Sequence, residues 1–146
     1  MLKIVLDANI SVSAVLKPHS DLAGIFELAR EDKIRLVLSN DILSEIRAVL
    51  SYPKIKQRHR QTPKQIEDFL KKTARVSIFV RATTKIDRIK EDPADNKYLS
   101  AAAEAKADFM ISGDHHLKDL KMFQGIRILE PSAFLKLMGP GSDQAK

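Results

Sequence analysis

The chain has 146 residues, of which 44% are hydrophobic, and a formal net charge of +6 at pH 7. This length is typical of one domain, whose core buries roughly 70% of the surface that the unfolded chain exposes, so folding needs neither disulfides nor a structural metal. The absence of cysteine excludes thiol nucleophiles, iron–sulfur clusters and cysteine-ligated zinc. No apolar run approaches the roughly 20 residues of a membrane-spanning helix, so we expect a cytoplasmic protein with no membrane partner.

Short apolar runs alternate with amphipathic segments, which predicts strands separated by helices. The predicted strands lie at residues 2–6, 35–38, 76–80, 109–111 and 126–129. The predicted helices lie between the first strand and residue 16, from a cap at residue 21, at about 41–50, twice within 54–75, at 92–106, at 114–120 and at 131–137.

Proline and capping residues mark where several of these helices begin and end. Pro18 ends the first helix, and Asp21 is expected to cap the second. The third helix is expected to end before Pro53, because the residue before a proline disfavours helical backbone. Thr62 is expected to cap the helix that Pro63 opens.

Strands that alternate with helices predict a parallel sheet with right-handed crossovers, and therefore an α/β fold of three layers, an α/β/α sandwich around a central parallel sheet. Ligands of such folds bind outside the carboxyl ends of the strands. We expect one domain over residues 1–138 and a flexible C-terminal tail at 139–146, which is frayed and rich in small and polar residues.

Positive charge is concentrated in the middle of the chain. Residues 54–90 contain 12 Lys and Arg against 3 Asp and Glu. Such a segment forms either a solvated helix face or a surface that binds a polyanion such as nucleic acid. The candidate nucleic-acid contacts are the first basic residues of the segment, Lys54, Lys56, Arg58 and Arg60.

Five acidic residues lie at strand carboxyl ends or in the helical turns that follow: Asp7, Glu45, Asp92, Asp95 and Asp114. Each also has a structural explanation, which is weakest for Glu45. Asp7, Asp92 and Asp114 are suitable N-caps, and Asp95 suits the positive first turn of a helix.

Glu45 lies at the edge of an apolar helix face, near Ile42 and Val49, where a carboxylate is costly unless a cation meets it. If the acids converge, their mutual repulsion needs a divalent ion, and oxygen ligands favour Mg²⁺ or Mn²⁺. An acidic pocket on a basic protein is the charge arrangement of a metal-dependent nuclease. The adjacent pair His115 and His116 lacks the spacing of a helical metal site, and the chain has no glycine-rich phosphate loop.

Four ordered blocks resemble the PIN-domain family, and within it the VapC-type toxin components of toxin–antitoxin modules. The blocks are LKIVLDANISVSAVL, LVLSNDILSEIRAVLSYPK, DPADNKYLSAAAEAKADFMISGDHHL and GIRILEPSAFL, which together span residues 2–135. The resemblance implies the α/β/α fold and a Mg²⁺- or Mn²⁺-dependent endoribonuclease that cleaves RNA.

By position, the resemblance assigns metal binding and catalysis to four acids and a supporting role to three further residues. The acids are Asp7, Glu45, Asp95 and Asp114, and the supporting residues are Asn9, Ser112 and Asp92. It also implies a cognate antitoxin as partner and a homodimer.

Two other functions stay open at this point. One is a PIN scaffold that binds RNA or a partner protein with little or no catalysis, against which the intact acid set argues. The other is a different phosphoryl-transfer enzyme, a phosphatase or a receiver domain, although Asn9 stands where a dehalogenase-type phosphatase has its second aspartate.

Overall fold

A computed structural model of the chain describes residues 1–17, 20–81, 96–113 and 122–138. Within these ranges the chain forms six strands and seven helices. The strands are β1 (Leu2–Leu6), β2 (Ile34–Leu38), β3 (Ser77–Phe79), β4 (Phe109–Ile111), β5 (Met122–Phe123) and β6 (Ile126–Leu129). The helices are α1 (Ala8–Leu16), α2 (Asp21–Arg30), α3 (Asn40–Leu50), α4 (Pro53–His59), α5 (Pro63–Arg75), α6 (Asn96–Ala105) and α7 (Pro131–Met138).

The six strands form one sheet in the order β3-β2-β1-β4-β6-β5. Strands β3, β2, β1, β4 and β6 run parallel, with Val5 paired to Val37 of β2 on one side and to Met110 of β4 on the other. The predicted parallel sheet is confirmed. Strand β1 lies at its centre, so the residue that follows β1 lies at the middle of the carboxyl edge.

Strand β5 was not predicted, and it is the antiparallel member of the sheet. It joins β6 through a two-residue turn at Gln124 and Gly125, both of which have positive φ, 50° and 81°. Two positive φ angles are what a tight hairpin turn requires. Because β5 has only two residues, it is too short for alternation of apolar and polar residues to mark it.

Apolar side chains pack on both faces of the sheet, which makes the α/β/α sandwich. Alternating residues of β1 divide between two cores, with Val5 in one and Ile4 in the other. The first core lies under α3 and α6 and includes Ile42 and Leu99. The second core lies under α2 and α7, and the rings of Phe26 and Phe134 are buried in it.

Two of the predicted helix starts are shifted by one residue. Ser20, rather than Asp21, is the N-cap of α2, so Asp21 is the first helical residue. Helix α3 begins at Asn40, one residue before the expected start, because the Ser39 hydroxyl accepts a hydrogen bond from the Ile42 N–H at 3.3 Å. The predicted Thr62 cap of α5 is confirmed, since its side chain accepts from the backbone N–H of Gln65.

Several predicted features lie outside the described residues. They are the start of the alanine-rich helix at 92–95, the short helix at 114–120 and the tail at 139–146, so the division into a domain and a tail stays a prediction. Of the helices that the structure describes, none has the length and apolar character to cross a membrane.

Candidate active site

Asp7 lies at the centre of the carboxyl edge of the sheet, directly after β1. It is the N-cap of α1, and its Oδ1 accepts a hydrogen bond from the Asn9 N–H at 2.6 Å. Its own backbone N–H donates to the carbonyl of Ile111 at 3.1 Å, which fixes the turn against β4. The residue is only 4% exposed, so the carboxylate lies at the bottom of the edge rather than on the surface.

Ser112 holds the second oxygen of this carboxylate. Leu6 pairs with Ile111, so the next residues of the two parallel strands, Asp7 and Ser112, emerge side by side. The buried Ser112 hydroxyl donates to Asp7 Oδ2 at 2.6 Å. Both oxygens of Asp7 therefore accept hydrogen bonds from the chain, and the carboxylate is held in a fixed orientation.

Glu45 approaches from α3, the helix that follows the neighbouring strand β2. The helix buries Ile42 and Ile46 against the sheet, and Glu45 is carried at the margin of that face with its side chain 29% exposed. Its Oε1 pairs with Lys97 Nζ at 2.9 Å, and its Oε2 accepts a hydrogen bond from the Tyr98 hydroxyl. Lys97 is the cation that a carboxylate in this position requires.

Tyr98 connects Glu45 to the turn at Asp7. Its side chain is buried, and its hydroxyl oxygen accepts a hydrogen bond from the Ala8 N–H at 3.1 Å. Ala8 directly follows Asp7, so Glu45 is two hydrogen bonds away from the start of α1. The residues that directly follow β1 and β4, together with helices α3 and α6, thus each contribute a polar group to one part of the carboxyl edge.

A family model for the PIN domain matches residues 3–116. The chain belongs to the PIN domain family. A PIN domain is what the ordered blocks of sequence predicted, and this part of the prediction is confirmed.

Two further proteins are similar to this PIN domain over most of their length. An uncharacterized protein of Methanocaldococcus jannaschii is 31% identical over 120 residues, which cover 82% of this chain and 76% of that protein. A chain in the crystal structure of VapBC2 from Rickettsia felis, bound to a DNA fragment from their promoter, superposes with a TM-score of 0.58. It is 18% identical and the match covers 88% of this chain and 98% of that one, so it shows a shared fold.

The structure places four of the predicted site residues of the PIN domain. Asp7 and Ser112 are in direct contact, and Glu45 joins them through Tyr98. Asn9 contributes its backbone N–H, while the residue itself is exposed. The predicted residues outside the described ranges are Asp92, Asp95 and Asp114.

The four candidate nucleic-acid residues lie on α4 or at its end. Lys54, Lys56 and Arg58 are exposed on the helix, and Arg60 is its exposed C-cap. Helix α4 starts three residues after α3 ends, so these cations follow the C-terminal end of α3, whereas β2 precedes its N-terminal end.

Lys97 and Tyr98 are polar groups that the sequence patterns did not select. The half-buried position predicted for Glu45 was a signal that a cation lies nearby, but it did not identify which residue supplies that cation. Tyr98 is also one of only two tyrosines in the chain, and it stands in the first turn of an alanine-rich helix. Because the pairing partner comes from a helix 52 residues away, only the packing of α3 beside α6 identifies it.

The oxygen-rich donor set fits a hard divalent cation, although the described residues supply only part of it. Asp7 and Glu45 offer carboxylate oxygens, which Mg²⁺ and Mn²⁺ prefer. Within the described ranges, no three His, Asp or Glu side chains form a group that could hold a metal ion. Further ligands would therefore have to come from residues such as Asp95 and Asp114.

A second charged pair lies on the outer side of α3, away from the apolar face. Arg47 Nε donates to Glu67 Oε2 of α5 at 2.8 Å, and Arg47 Nη2 donates to Oε1 at 3.1 Å. These hydrogen bonds lower the pKa of Glu67 and raise the pKa of Arg47. Both side chains are nearly half exposed, so the pair tethers two helices at the surface.

Proposed function

We propose that this PIN domain is a metal-dependent endoribonuclease, a hydrolase that cleaves phosphodiester bonds of RNA. The observation that carries the proposal is the convergence of Asp7 and Glu45 at the carboxyl edge of the parallel sheet, linked by Tyr98 and backed by buried Ser112. This edge is where α/β folds bind their ligands. Membership of the PIN domain family supports the same activity.

The proposed metal ligands are Asp7, Glu45, Asp95 and Asp114, with Asp92 and Asn9 in support. Asp95 directly precedes Asn96, the buried first residue of α6, and Asp114 follows Ser112 by two positions. A bound Mg²⁺ or Mn²⁺ would supply positive charge that offsets the negative charge of the scissile phosphate, and it would lower the pKa of water.

The chain's own groups would orient the reactants. Ser112 and the Asn9 N–H hold the Asp7 carboxylate with one fixed orientation. Glu45 would orient the attacking water and accept its proton at an Oε atom, and Lys97 balances the negative charge of Glu45 before substrate arrives. The exposed cations Lys54 and Lys56, with Arg58 and Arg60, would contact the flanking RNA backbone.

We further propose that the protein is the toxin component of a toxin–antitoxin module, that a cognate antitoxin binds it, and that it forms a homodimer. The shared fold with a chain from the VapBC2 structure supports this proposal. Two measurements test it. The reading frames that flank the gene should encode a small protein that copurifies with this one, and size-exclusion chromatography with light scattering should give twice the mass of 16.4 kDa.

The activity is tested with a mixed RNA pool, in Mg²⁺ or Mn²⁺ and in EDTA. We expect cleavage by the wild type that EDTA abolishes and that Asp7→Ala and Asp95→Ala lose. Asp68→Ala is the matched control, because Asp68 is an exposed aspartate of α5 and should cleave like the wild type. Cleavage that survives in both site variants, or in EDTA, would contradict the metal-dependent site.

The scaffold function makes a different prediction for the same samples. If no RNA is cleaved under any condition but RNA is bound with an affinity that falls steeply with salt, the protein is a binding scaffold rather than an enzyme.

A further inference from the structure

The two tyrosines of the chain have opposite environments. Tyr52 is 55% exposed at the N-cap of α4, whereas Tyr98 is 1% exposed in the first turn of α6. A buried phenol is costly unless its hydroxyl finds partners, and Tyr98 finds one on each side. The ring fills the core between α6 and the sheet while the hydroxyl reaches the carboxyl edge.

The chemistry of the two partners fixes the direction of both hydrogen bonds. The backbone N–H of Ala8 can only donate, so the Tyr98 oxygen accepts from it at 3.1 Å. The single phenolic proton is then available for Glu45 Oε2, which accepts it. The hydroxyl therefore ties the start of α1, where Asp7 is the N-cap, to the side chain of Glu45 on α3.

The ion pair of Lys97 with the other oxygen of Glu45 does not connect Glu45 to the start of α1. Lys97 has a flexible four-carbon stem, and its side chain is 20% exposed, so its ammonium group supplies charge without a fixed direction. The Tyr98 ring is rigid and buried, and its hydroxyl has one position. Of the two partners of Glu45 in the described part of the chain, Tyr98 is the one that is hydrogen-bonded to the turn that holds Asp7.

We propose that Tyr98 is a positioning residue, whose hydroxyl sets the placement of the Glu45 carboxylate relative to Asp7 so that both can bind one divalent cation. A catalytic role for Tyr98 rests on the proposed function. The effect of Tyr98 on the affinity for a divalent cation, however, can be measured without RNA. Groups that orient a metal ligand without touching the metal change metal affinity or activity by about 10- to 100-fold when they are removed.

The direct test compares Tyr98→Phe with Tyr52→Phe. The first substitution removes one buried oxygen and leaves the ring in the core, and the second removes one exposed oxygen. We expect Mn²⁺ binding, followed by calorimetry on the protein without RNA, to weaken about 10- to 100-fold in Tyr98→Phe and to stay unchanged in Tyr52→Phe. With RNA, kcat should fall while KM stays close to the wild-type value, because the hydroxyl does not contact the substrate.

A second measurement keeps Tyr98 intact and so does not depend on how Tyr98→Phe folds. The chain has no tryptophan, so in Tyr52→Phe the only ultraviolet fluorophore besides phenylalanine is Tyr98. Mg²⁺ should change the Tyr98 fluorescence of this variant, because a bound ion withdraws electron density from the Glu45 carboxylate, to which the Tyr98 phenol donates a hydrogen bond. The change should be lost when Glu45→Gln is added.

The outcomes separate this proposal from the proposed function. Mn²⁺ affinity in folded Tyr98→Phe equal to that of the wild type, or Tyr98 fluorescence indifferent to Mg²⁺ in a protein that binds it, overturns the role of Tyr98 alone. Wild-type protein that binds Mn²⁺ but cleaves no RNA overturns the ribonuclease and leaves the role of Tyr98 in place. Wild-type protein that binds no divalent metal overturns both.

Discussion

Substitution of Asp7 should separate stability from activity, because its carboxylate serves two purposes. As a structural group it caps α1 by accepting a hydrogen bond from the Asn9 N–H, and it accepts another from the buried Ser112 hydroxyl, both at 2.6 Å. As a functional group it would carry negative charge to a metal ion. Asp7→Asn keeps the shape and the capping oxygen but removes the charge, and Asp7→Ala removes both.

The contacts give the size of the stability effect. Loss of an N-cap side chain costs about 1 kcal/mol, and loss of a hydrogen bond to a charged group costs about 1.5–3 kcal/mol. The alanine variant no longer bears the cost of burying a charged carboxylate, which offsets part of these losses. Asp7→Ala should therefore lower the free energy of unfolding by about 2–4 kcal/mol. At about 4 °C per kcal/mol for a chain of this length, Tm falls by about 8–16 °C.

Asparagine caps helices about as well as aspartate, so Asp7→Asn should stay within about 1 kcal/mol of the wild type, or about 4 °C in Tm. RNA cleavage should nevertheless fall at least about 100-fold in both variants, because the metal's charge stabilisation is worth several kcal/mol. The measurements are thermal and urea unfolding beside cleavage of labelled RNA in Mn²⁺. An Asp7→Asn protein that unfolds as early as Asp7→Ala, or that cleaves RNA like the wild type, would refute this reasoning.

Three further predictions concern regions outside the site. Thr62→Ala should remove the cap of α5 and cost about 1 kcal/mol in urea unfolding, and unchanged stability would show that the cap contributes nothing. Since Arg47 lowers the pKa of Glu67 in the folded state, the pair stabilises the protein above the ordinary glutamate pKa of about 4.3, and this contribution is lost as pH falls through the lower folded value. Glu67→Gln should therefore show a weaker loss of stability than the wild type between about pH 5 and pH 3, and parallel curves would contradict the linkage. The double substitution Lys54→Gln and Lys56→Gln should reduce the slope of log affinity for RNA against log salt by about two, and an unchanged slope in filter binding would remove α4 from the RNA surface.

The sequence predicts which edge of the sheet carries the site. Parallel strands bring their carboxyl ends to one edge, so Asp7 is expected there. The contact between Asp7 and Ser112 depends on the pairing of β1 with β4, a strand order that the sequence patterns do not give. The partners of Glu45 could not be predicted either, because its contact with Lys97 depends on how α3 and α6 pack on the same face of the sheet. Periodicity gives the apolar face of each helix but not the neighbour that covers its margin.

Local shifts have similarly local causes. Either Ser20 or Asp21 is a good N-cap by residue type, and the backbone around the turn, with φ −81° and ψ 166° at Ser20, decides between them. The hairpin of β5 and β6 depends on left-handed backbone at Gln124, a residue type that gives no strong turn signal.

The central place of β1 in the sheet has a consequence for how the protein is made. The Asp7–Ser112 hydrogen bond joins residues 105 positions apart, and β1 gains its second neighbour, β4, at residue 109. During synthesis from the N-terminus, β1 can pair on both sides only after β4 has been synthesised. A truncated or still-growing chain that ends before β4 therefore lacks Ser112, the hydroxyl that donates to Asp7 Oδ2, and cannot hold the Asp7 carboxylate as the full chain does.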